Sequence, residues 1–215
     1  MPLAAKICGV NSPDAAQAVI DGGAAFMGLV FFQKSPRNVS PVQAADLAAL
    51  VPNSIKKVGV VVDPSDADLK EILAATPLDM IQLHGHETPQ RVAEIRRKFG
   101  VDVMKAIKVA GADDLAAVAA FESVSDWLLF DAKPPKTMAS ALPGGNALAF
   151  DWTLLAGARF SRPWMLSGGL TPENVSAAAT VSGATVVDVS SGVEDKPGVK
   201  NPAKISAFLA ATNGI

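Results

Sequence analysis

The sequence predicts an α/β fold, namely one (β/α)8 TIM barrel that forms a single domain over residues 1–215. Short apolar runs rich in β-branched residues alternate with Ala-rich amphipathic stretches, a pattern typical of parallel strand–helix units. Eight such runs are present, and eight parallel strands close a barrel. No GxGxxG fingerprint follows the first run, which disfavours a doubly wound dinucleotide-binding sheet. Because alternation alone does not prove closure, an open parallel sheet is the alternative.

The predicted elements follow one another along the whole chain. The strands are predicted at 4–8, 26–31, 56–62, 79–83, 102–107, 126–131, 163–166 and 185–189. The helices are predicted near 12–22, 40–51, 65–75, 87–99, 111–121, 151–157, 171–181 and 201–212. Several helices begin with a capping residue followed by proline, a strong start signal: Ser12-Pro13, Ser40-Pro41, Thr171-Pro172 and Asn201-Pro202.

One long segment without predicted secondary structure, residues 132–149, joins the sixth strand to its helix. Loops longer than about 12–15 residues are uncommon in compact domains and often serve as lids or binding loops. The Gly144-Gly145 pair within it is suited to act as a hinge. A surface excursion without a function is the alternative interpretation.

Composition favours a small-molecule partner. At 215 residues and 49% hydrophobic content the chain can bury a substantial core. A net charge of −2 offers no general attraction to nucleic acid or anionic membranes, and we expect no obligate protein partner. The single cysteine excludes an internal disulfide and suits a reducing compartment. Since neither a cationic leader nor a run of about 18 apolar residues is present, the expected location is cytoplasmic.

Two glycine-containing turns near the end of the chain predict a phosphate site. Ser167-Gly168-Gly169 follows the seventh strand, and Ser190-Ser191-Gly192 follows the eighth. Glycine lets the backbone approach an anion closely, so that free N–H groups near a helix start can coordinate it. In eight-fold barrels such a site is frequently built from the loops after strands 7 and 8.

The residues that end the other strands are the candidates for chemistry, because active sites of this fold lie at the C-terminal face of the barrel. Cys8 ends strand 1 and Asp131 ends strand 6, while Arg37 follows strand 2. A guanidinium on this rim can bind a carboxylate through two hydrogen bonds. Asp131 follows an apolar run, which favours the protonated form that a general acid needs, although aspartate also commonly caps a turn.

The environment of Cys8 decides between a catalytic and a structural role. A lone cysteine in an apolar strand is usually a small buried hydrophobe. Side chains alternate along a strand, so Lys6 would lie inside the barrel below Cys8, where a cation favours the thiolate and desolvation opposes it. The same alternation puts Asp188 on the face of Ser190, next to strand 1. A Lys6–Asp188 ion pair is therefore predicted, with a purely structural role as the alternative.

Strand 4 ends in a polar pair that faces the expected site. Gln82 and His84 would share a face there, and both are candidates for contact with the substrate. His86, one turn further, is expected in solvent. With only two histidines and one cysteine, clustered metal ligands are scarce, so no metal is expected.

Seven motifs together resemble the phosphoribosylanthranilate isomerase family of tryptophan biosynthesis, whose members are single (β/α)8 barrels. They are KICG (6–9), GLVFFQKSPR (28–37), QLHG (82–85), LLFDA (128–132), AFDW (149–152), SGGLTPENV (167–175) and VDVSSGVEDKPGVK (187–200). One such motif would be weak evidence, but seven in order along the chain are specific.

The resemblance implies an Amadori rearrangement of N-(5-phosphoribosyl)anthranilate to 1-(2-carboxyphenylamino)-1-deoxy-D-ribulose 5-phosphate, without cofactor or metal. It implies that Asp131 protonates the ribose ring oxygen as general acid and that Cys8 removes the C2 proton as general base. Arg37 matches the residue that holds the anthranilate carboxylate. The backbone around Gly169, Ser190 and Ser191 matches the phosphate site.

Two other readings are weaker. The nearest enzyme alternatives are two other ribose-phosphate barrels. Indole-glycerol-phosphate synthase is a longer chain with an N-terminal extension and catalytic lysines. The aminoaldose isomerase of the histidine pathway has an aspartate at the end of strand 1. Here strand 1 begins by residue 4 and ends on Cys8. A barrel that only binds a sugar phosphate would keep the glycine turns without needing Cys8 and Asp131 together.

Overall fold

Eight parallel strands form a closed barrel in the computed structural model, which describes residues 3–134, 144–146 and 148–214. The strands are β1 (Ala4–Cys8), β2 (Phe26–Phe31), β3 (Lys56–Val61), β4 (Met80–Leu83), β5 (Asp102–Val109), β6 (Trp127–Ala132), β7 (Trp164–Leu166) and β8 (Val186–Val189). Each strand pairs with the next, and β8 pairs with β1 so that Asp188 lies opposite Lys6. The closed barrel is thereby confirmed, and the open sheet is wrong.

A layer of apolar side chains fills the barrel below its mouth. It comprises Phe26, Val58, Met80, Met104, Ala106, Leu129, Met165 and Val186, contributed by β2 to β8. Because side chains alternate along each strand, residues two positions further on form the next layer. In β1, β4 and β8 these positions hold polar side chains, Lys6, Gln82 and Asp188, each 4% exposed or less, which form a polar layer. The polar layer lies between the apolar layer and the mouth of the barrel, directly beneath the residues at the strand ends.

The helices surround the barrel and bury their apolar faces against the outer sides of the strands. They are α1 (Pro13–Asp21), α2 (Pro41–Leu50), α3 (Asp66–Ala75), α4 (Pro89–Phe99), α5 (Ala112–Leu115), α6 (Val118–Glu122), α7 (Val175–Ser182) and α8 (Pro202–Asn213). Ser12, Ser40 and Asn201 act as N-caps as predicted, since each side chain accepts a hydrogen bond from a backbone N–H of the first turn. No helix in the described ranges is long and apolar enough to cross a bilayer.

Three helix predictions differ from the structure. The stretch 111–121 forms two short helices, α5 and α6, and 151–157 contains only a 3₁₀ turn at Trp152–Leu155. The helix predicted from 171 begins at Val175. There the Asn174 side chain accepts from the Thr171 N–H and donates to the Gly169 carbonyl, so residues 171–174 form a turn. Asparagine competes in this way with helix formation.

An antiparallel hairpin after β8 was not predicted. Its strands, β9 (Glu194–Lys196) and β10 (Val199–Lys200), are joined across Gly198, whose φ of 83° favours glycine. The Asn11 side chain donates to the Gly198 carbonyl at 2.9 Å, which attaches the hairpin to the loop after β1. The long loop predicted at 132–149 falls mostly outside the described residues, so its role as a lid stays a prediction.

Candidate active site

The C-terminal ends of the strands surround one cavity that collects nearly all of the predicted site residues. It is lined by Cys8, Arg37, His84, Asp131, Gly168, Gly169, Asp188, Ser190 and Ser191 among others. Of the residues predicted for the site, only Gln82 does not line it, because Gln82 is fully buried beneath His84. Barrel closure therefore brings together groups from both ends of the chain, as the strand-end argument predicts.

Cys8 lies at the cavity floor above a buried ion pair. Lys6 Nζ and Asp188 Oδ1 are 2.8 Å apart, and the Ser167 hydroxyl donates to Asp188 Oδ2 at 3.1 Å, so the predicted internal pair is confirmed. Burial raises the pKa of the Cys8 thiol, and Lys6 opposes this effect. Burial also disfavours the Lys6 cation, but Asp188 and Cys8 outweigh it and raise the pKa of Lys6. These shifts favour the charged form of Lys6 beneath the thiol.

Asp131 and His84 form a hydrogen-bonded pair on the other side of the cavity. His84 Nε2 lies 3.2 Å from Asp131 Oδ2, and Asp131 Oδ1 accepts from the Ala132 N–H at 2.9 Å. Below them, Gln82 Nε2 lies 2.8 Å from His84 Nδ1. Gln82 Oε1 is buried and has no hydrogen-bond partner within the part of the chain that the structure describes. A chain of polar groups thus runs from the polar layer to the carboxyl that faces the cavity.

Arg37 lies on the rim with one edge of its guanidinium already engaged. Nε and Nη2 each donate to Glu194, at 2.8 Å to Oε1 and 2.8 Å to Oε2. Nη2 also donates to the Gly145 carbonyl at 3.2 Å, so Arg37 contacts the segment that follows β6. Both side chains of the pair are at most 5% exposed. Glu194 was not predicted from the sequence as a partner of Arg37. Its position inside the VDVSSGVEDKPGVK motif was the one signal that pointed to the site.

Lys200 connects Glu194 to the loop after β8. Its Nζ donates to Glu194 Oε1 at 2.7 Å, to the Ser190 carbonyl at 2.8 Å and to Ser190 Oγ at 3.2 Å. Ser190 Oγ in turn donates to the Cys8 carbonyl at 3.1 Å. The Ser190 hydroxyl is thus engaged within the protein. Burial lowers the pKa of the Lys200 ammonium, although Glu194 opposes this shift.

The two predicted phosphate turns lie against each other at the mouth. Gly168 and Gly169 have φ angles of 91° and 67°, which glycine adopts without strain. The Gly192 backbone packs so closely on the Leu170 carbonyl that a Cβ at residue 192 would overlap it. Both turns line the cavity, which is the placement that an anion bound between them would require.

Three further observations concern titratable groups. Lys108 pairs with Asp131 in the β5–β6 register and was also missed; burial lowers the pKa of its ammonium, and the Asp131 charge opposes the shift. Within the described ranges, no group of three or more His, Cys, Asp or Glu side chains is arranged to hold a metal. The His86 side chain is 87% exposed, in agreement with the prediction that it lies in solvent.

Comparison with known proteins gives one consistent result. The model of the N-(5'-phosphoribosyl)anthranilate isomerase family matches residues 5–211. The N-(5'-phosphoribosyl)anthranilate isomerase of Rhodospirillum centenum is 58% identical over 210 residues, 98% of each chain. The enzyme of the same name from Paramagnetospirillum magneticum is 53% identical over 214 residues, 100% of this chain and 99% of the relative.

Solved structures give the same answer at lower identity. The phosphoribosyl anthranilate isomerase of Thermotoga maritima superposes with a TM-score of 0.87 at 32% identity, covering 99% of this chain and 100% of the other. A phosphoribosyl anthranilate isomerase in complex with reduced 1-(o-carboxyphenylamino)-1-deoxyribulose 5-phosphate superposes with a TM-score of 0.85 at 31% identity, covering 99% and 100%. The chain therefore belongs to the N-(5'-phosphoribosyl)anthranilate isomerase family.

Proposed function

We propose that Cys8 and Asp131, as general base and general acid, carry out the Amadori rearrangement of N-(5-phosphoribosyl)anthranilate in tryptophan biosynthesis. One observation carries this assignment above the others. The thiol on β1 and the carboxyl on β6 are buried side chains, 7% and 6% exposed, that line one cavity together with the two phosphate turns. A donor and an acceptor of protons are thus available to the same bound sugar.

The ring opening needs a proton given to the ring oxygen, and the rearrangement then needs a proton removed from C2; both atoms are bonded to C1. Asp131 protonates the ribose ring oxygen, the C1–O bond breaks, and the nitrogen lone pair forms a C1=N Schiff base. Cys8, as thiolate, takes the C2 proton, and the C2–H electron pair moves to give an enolamine. Return of a proton to C1 and loss of the proton from the C2 hydroxyl give the aminoketose. Each proton transfer of this kind contributes on the order of 10²- to 10⁴-fold.

The polar layer supports both groups. The Lys6 ammonium below Cys8 favours the thiolate against the burial that disfavours it. His84 faces Asp131 and can both donate to the carboxylate and return a proton to it. With the Gln82 amide nitrogen towards Nδ1, neutral His84 carries its hydrogen on Nε2. With the amide reversed, Nδ1 would donate to Gln82 Oε1, and Nε2 would accept from a protonated Asp131.

The two charged ends of the substrate have separate anchors. Arg37 offers a guanidinium for the anthranilate carboxylate, and the turns around Gly169 and Ser191 offer backbone N–H groups for the 5-phosphate. The solved relative that holds a reduced product, with both of these charged groups, supports this arrangement. Gln82 and His84, predicted to contact the substrate, are better placed to support Asp131, and Asp188 to support Lys6.

We also infer a cofactor-free enzyme of the cytoplasm that acts on a phosphorylated aminoribose carrying anthranilate, with no nucleic acid, membrane or obligate protein partner. The single cysteine and the small net charge support this inference. Exhaustive treatment with EDTA is expected to leave turnover unchanged. A loss of turnover that added divalent metal restores would contradict the absence of a cofactor.

The assignment is tested with two single variants. Cys8→Ala and Asp131→Asn are each expected to reduce kcat by at least about 10²-fold, because each removes one proton-transfer group. Affinity for the reduced product is expected to change little, since the anchors remain. Turnover is followed by the fluorescence of phosphoribosylanthranilate, and binding by calorimetry. Wild-type turnover in either variant would reject the mechanism.

A further inference from the structure

Glu194 is a buried carboxylate next to the site, in contact with Arg37, and it has no role in the mechanism above. It begins β9, directly after the turn that follows β8, and is 8% exposed. Burial opposes its charge, but hydrogen bonds from Arg37 and the nearby Lys200 outweigh that and lower the pKa of Glu194. It is therefore a charged group that two cations hold inside the rim.

The geometry of the Arg37–Glu194 pair restricts the guanidinium to one orientation. Both Glu194 oxygens are used on the Nε/Nη2 edge, each at 2.8 Å, which is the paired arrangement that aligns the two planar groups. The remaining nitrogen, Nη1, lies beside Gly145, and both residues line the cavity. Since Nε and Nη2 donate to Glu194 and to the Gly145 carbonyl, Nη1 is the nitrogen through which the guanidinium would donate to an anion in the cavity.

Glu194 is itself held from several directions. Lys200 Nζ donates to Oε1 at 2.7 Å, and the Gly198 N–H donates to Oε2 at 3.3 Å across the hairpin. The Glu194 carbonyl accepts from Lys204 at 2.8 Å, which attaches β9 to α8. The carboxylate is consequently held in place by the hairpin and α8, and the orientation that it gives Arg37 is set before a ligand arrives.

Stability alone is a weak explanation for such a group. A buried ion pair often stabilises a protein no more than apolar packing of the same volume would. A ligand anchor that is held in place, in contrast, avoids the loss of side-chain freedom on binding.

We propose that Glu194 is a positioning residue that orients Arg37 towards the carboxylate of the anthranilate ring. The inference rests on the proposed function, in which Arg37 is the anchor of that carboxylate. It adds that the anchor depends on a residue 157 positions away in the chain, supplied by the hairpin after β8.

The test compares Glu194→Gln with two ligands. The probes are the reduced product and its aniline counterpart, which lacks the ring carboxylate. Glu194→Gln is expected to weaken binding of the reduced product by about tenfold or more and to leave binding of the aniline counterpart within about twofold. KM for phosphoribosylanthranilate should rise while kcat changes less, since the acid and the base are untouched. Glu71→Gln, the same change at an exposed position of α3, is the control.

A double-variant comparison separates the possible failures. In an Arg37→Ala background, Glu194→Gln should weaken binding of the reduced product no further, because its effect passes through Arg37. If Arg37→Ala itself leaves that affinity unchanged, the proposed anchor is wrong. If Arg37→Ala weakens binding but Glu194→Gln does not, or if Glu194→Gln weakens both ligands equally, the positioning inference is wrong. Should Glu194→Gln not fold, Glu194→Asp, which keeps the charge but shortens the reach, is measured in the same way with the same expected selectivity.

Discussion

The thiol of Cys8 must be ionised to accept a proton, and its surroundings set the pH at which this happens. Burial raises the pKa of the thiol, while Lys6 and Lys200 oppose the rise. The thiolate fraction increases as the pH approaches that raised pKa from below, so the rate at which iodoacetamide alkylates Cys8, which depends on the thiolate alone, is expected to increase from pH 6.5 towards about pH 9. The measurement is a pH profile of that alkylation rate, with Cys8→Ala as the control.

Removal of the ion pair beneath Cys8 should move this profile in a defined direction. In the double variant Lys6→Met/Asp188→Asn the cation and its partner are lost together, which avoids leaving one charge buried and unpaired. Because Lys6 favours the thiolate more strongly than Asp188 opposes it, the ascending limb is expected to shift to higher pH. A limb that stays in place or shifts to lower pH would show that the pair does not act on the thiol.

Gln82 is expected to control the proton on His84. In Gln82→Glu a carboxylate faces Nδ1 and favours a His84 that is protonated on both nitrogens, which in turn keeps Asp131 as a carboxylate. The acid is then missing at neutral pH, so kcat should fall by about tenfold or more and recover partly at lower pH, with KM little changed. Gln82→Met, of similar size but without a charge, is the control and should show no such recovery.

Much of this residue-level arrangement follows from strand alternation. The period of two predicts that Cys8 and Asp131 face inward at the strand ends and that Lys6 meets Asp188 below them. The same rule could not reveal that Gln82 supports His84 from beneath, because that depends on rotamers. It also could not reveal Glu194, which acts through a hairpin that has no period of its own.

The turn after β8 and the turn after β7 form one unit, because the backbone at Gly192 packs directly on the Leu170 carbonyl. Gly192→Ala is expected to push the two turns apart and to weaken the 5-phosphate anchor, raising KM about tenfold or more. Gly111→Ala is a matched control, since a Cβ there meets nothing within 4 Å and its φ is extended. KM for phosphoribosylanthranilate and the affinity for inorganic phosphate are measured for both variants. Unchanged values for Gly192→Ala would contradict the packing argument.

Strands were more predictable than helices in this chain. All eight barrel strands lie where the apolar runs predict them, because each run is buried on both sides and bounded by polar residues. The helix predicted at 111–121 breaks into α5 and α6, because its Ala-rich sequence has little apolar surface to bury, with only Val118 buried in those two helices. The predicted start at Thr171 failed because Asn174 binds the backbone locally.

Closure of the barrel is the property of the whole molecule on which the site depends. The β1–β8 pairing puts Lys6 beside Asp188, 182 residues apart, and the same closure brings Arg37 to Glu194. The number of strands predicts closure, but the register of β8 on β1 needs the packing of the interior layer, which no local pattern contains. For this reason one contact across the closure, Lys6–Asp188, was predicted, and another, Arg37–Glu194, was missed.

The free energy of unfolding at acid pH reports on the buried charge of Glu194, which closure of the barrel brings to Arg37. The pKa of Glu194 is lowered from its ordinary 4.5, because Arg37 and Lys200 outweigh its burial. Below that ordinary value the unfolded chain binds a proton that the folded chain does not, so folding stability is fully present above about pH 4.5 and is lost as the pH falls through the lower, folded pKa. Exposed carboxylates with lowered pKa values, such as Asp195, act in the same direction but only weakly.

The variant Glu194→Gln isolates the contribution of this buried carboxylate to stability from that of the other carboxylates. At neutral pH the variant leaves two buried cations short of their shared anion, and a loss of about 3 kcal/mol in the free energy of unfolding is expected. As the pH falls through the lowered pKa of Glu194, the wild-type carboxyl becomes protonated and resembles the amide, so the two proteins should approach equal stability. Denaturant unfolding between pH 3 and 8 measures the difference, with Glu71→Gln as the reference. A difference independent of pH would mean that the Glu194 charge does not contribute to holding the closed barrel together.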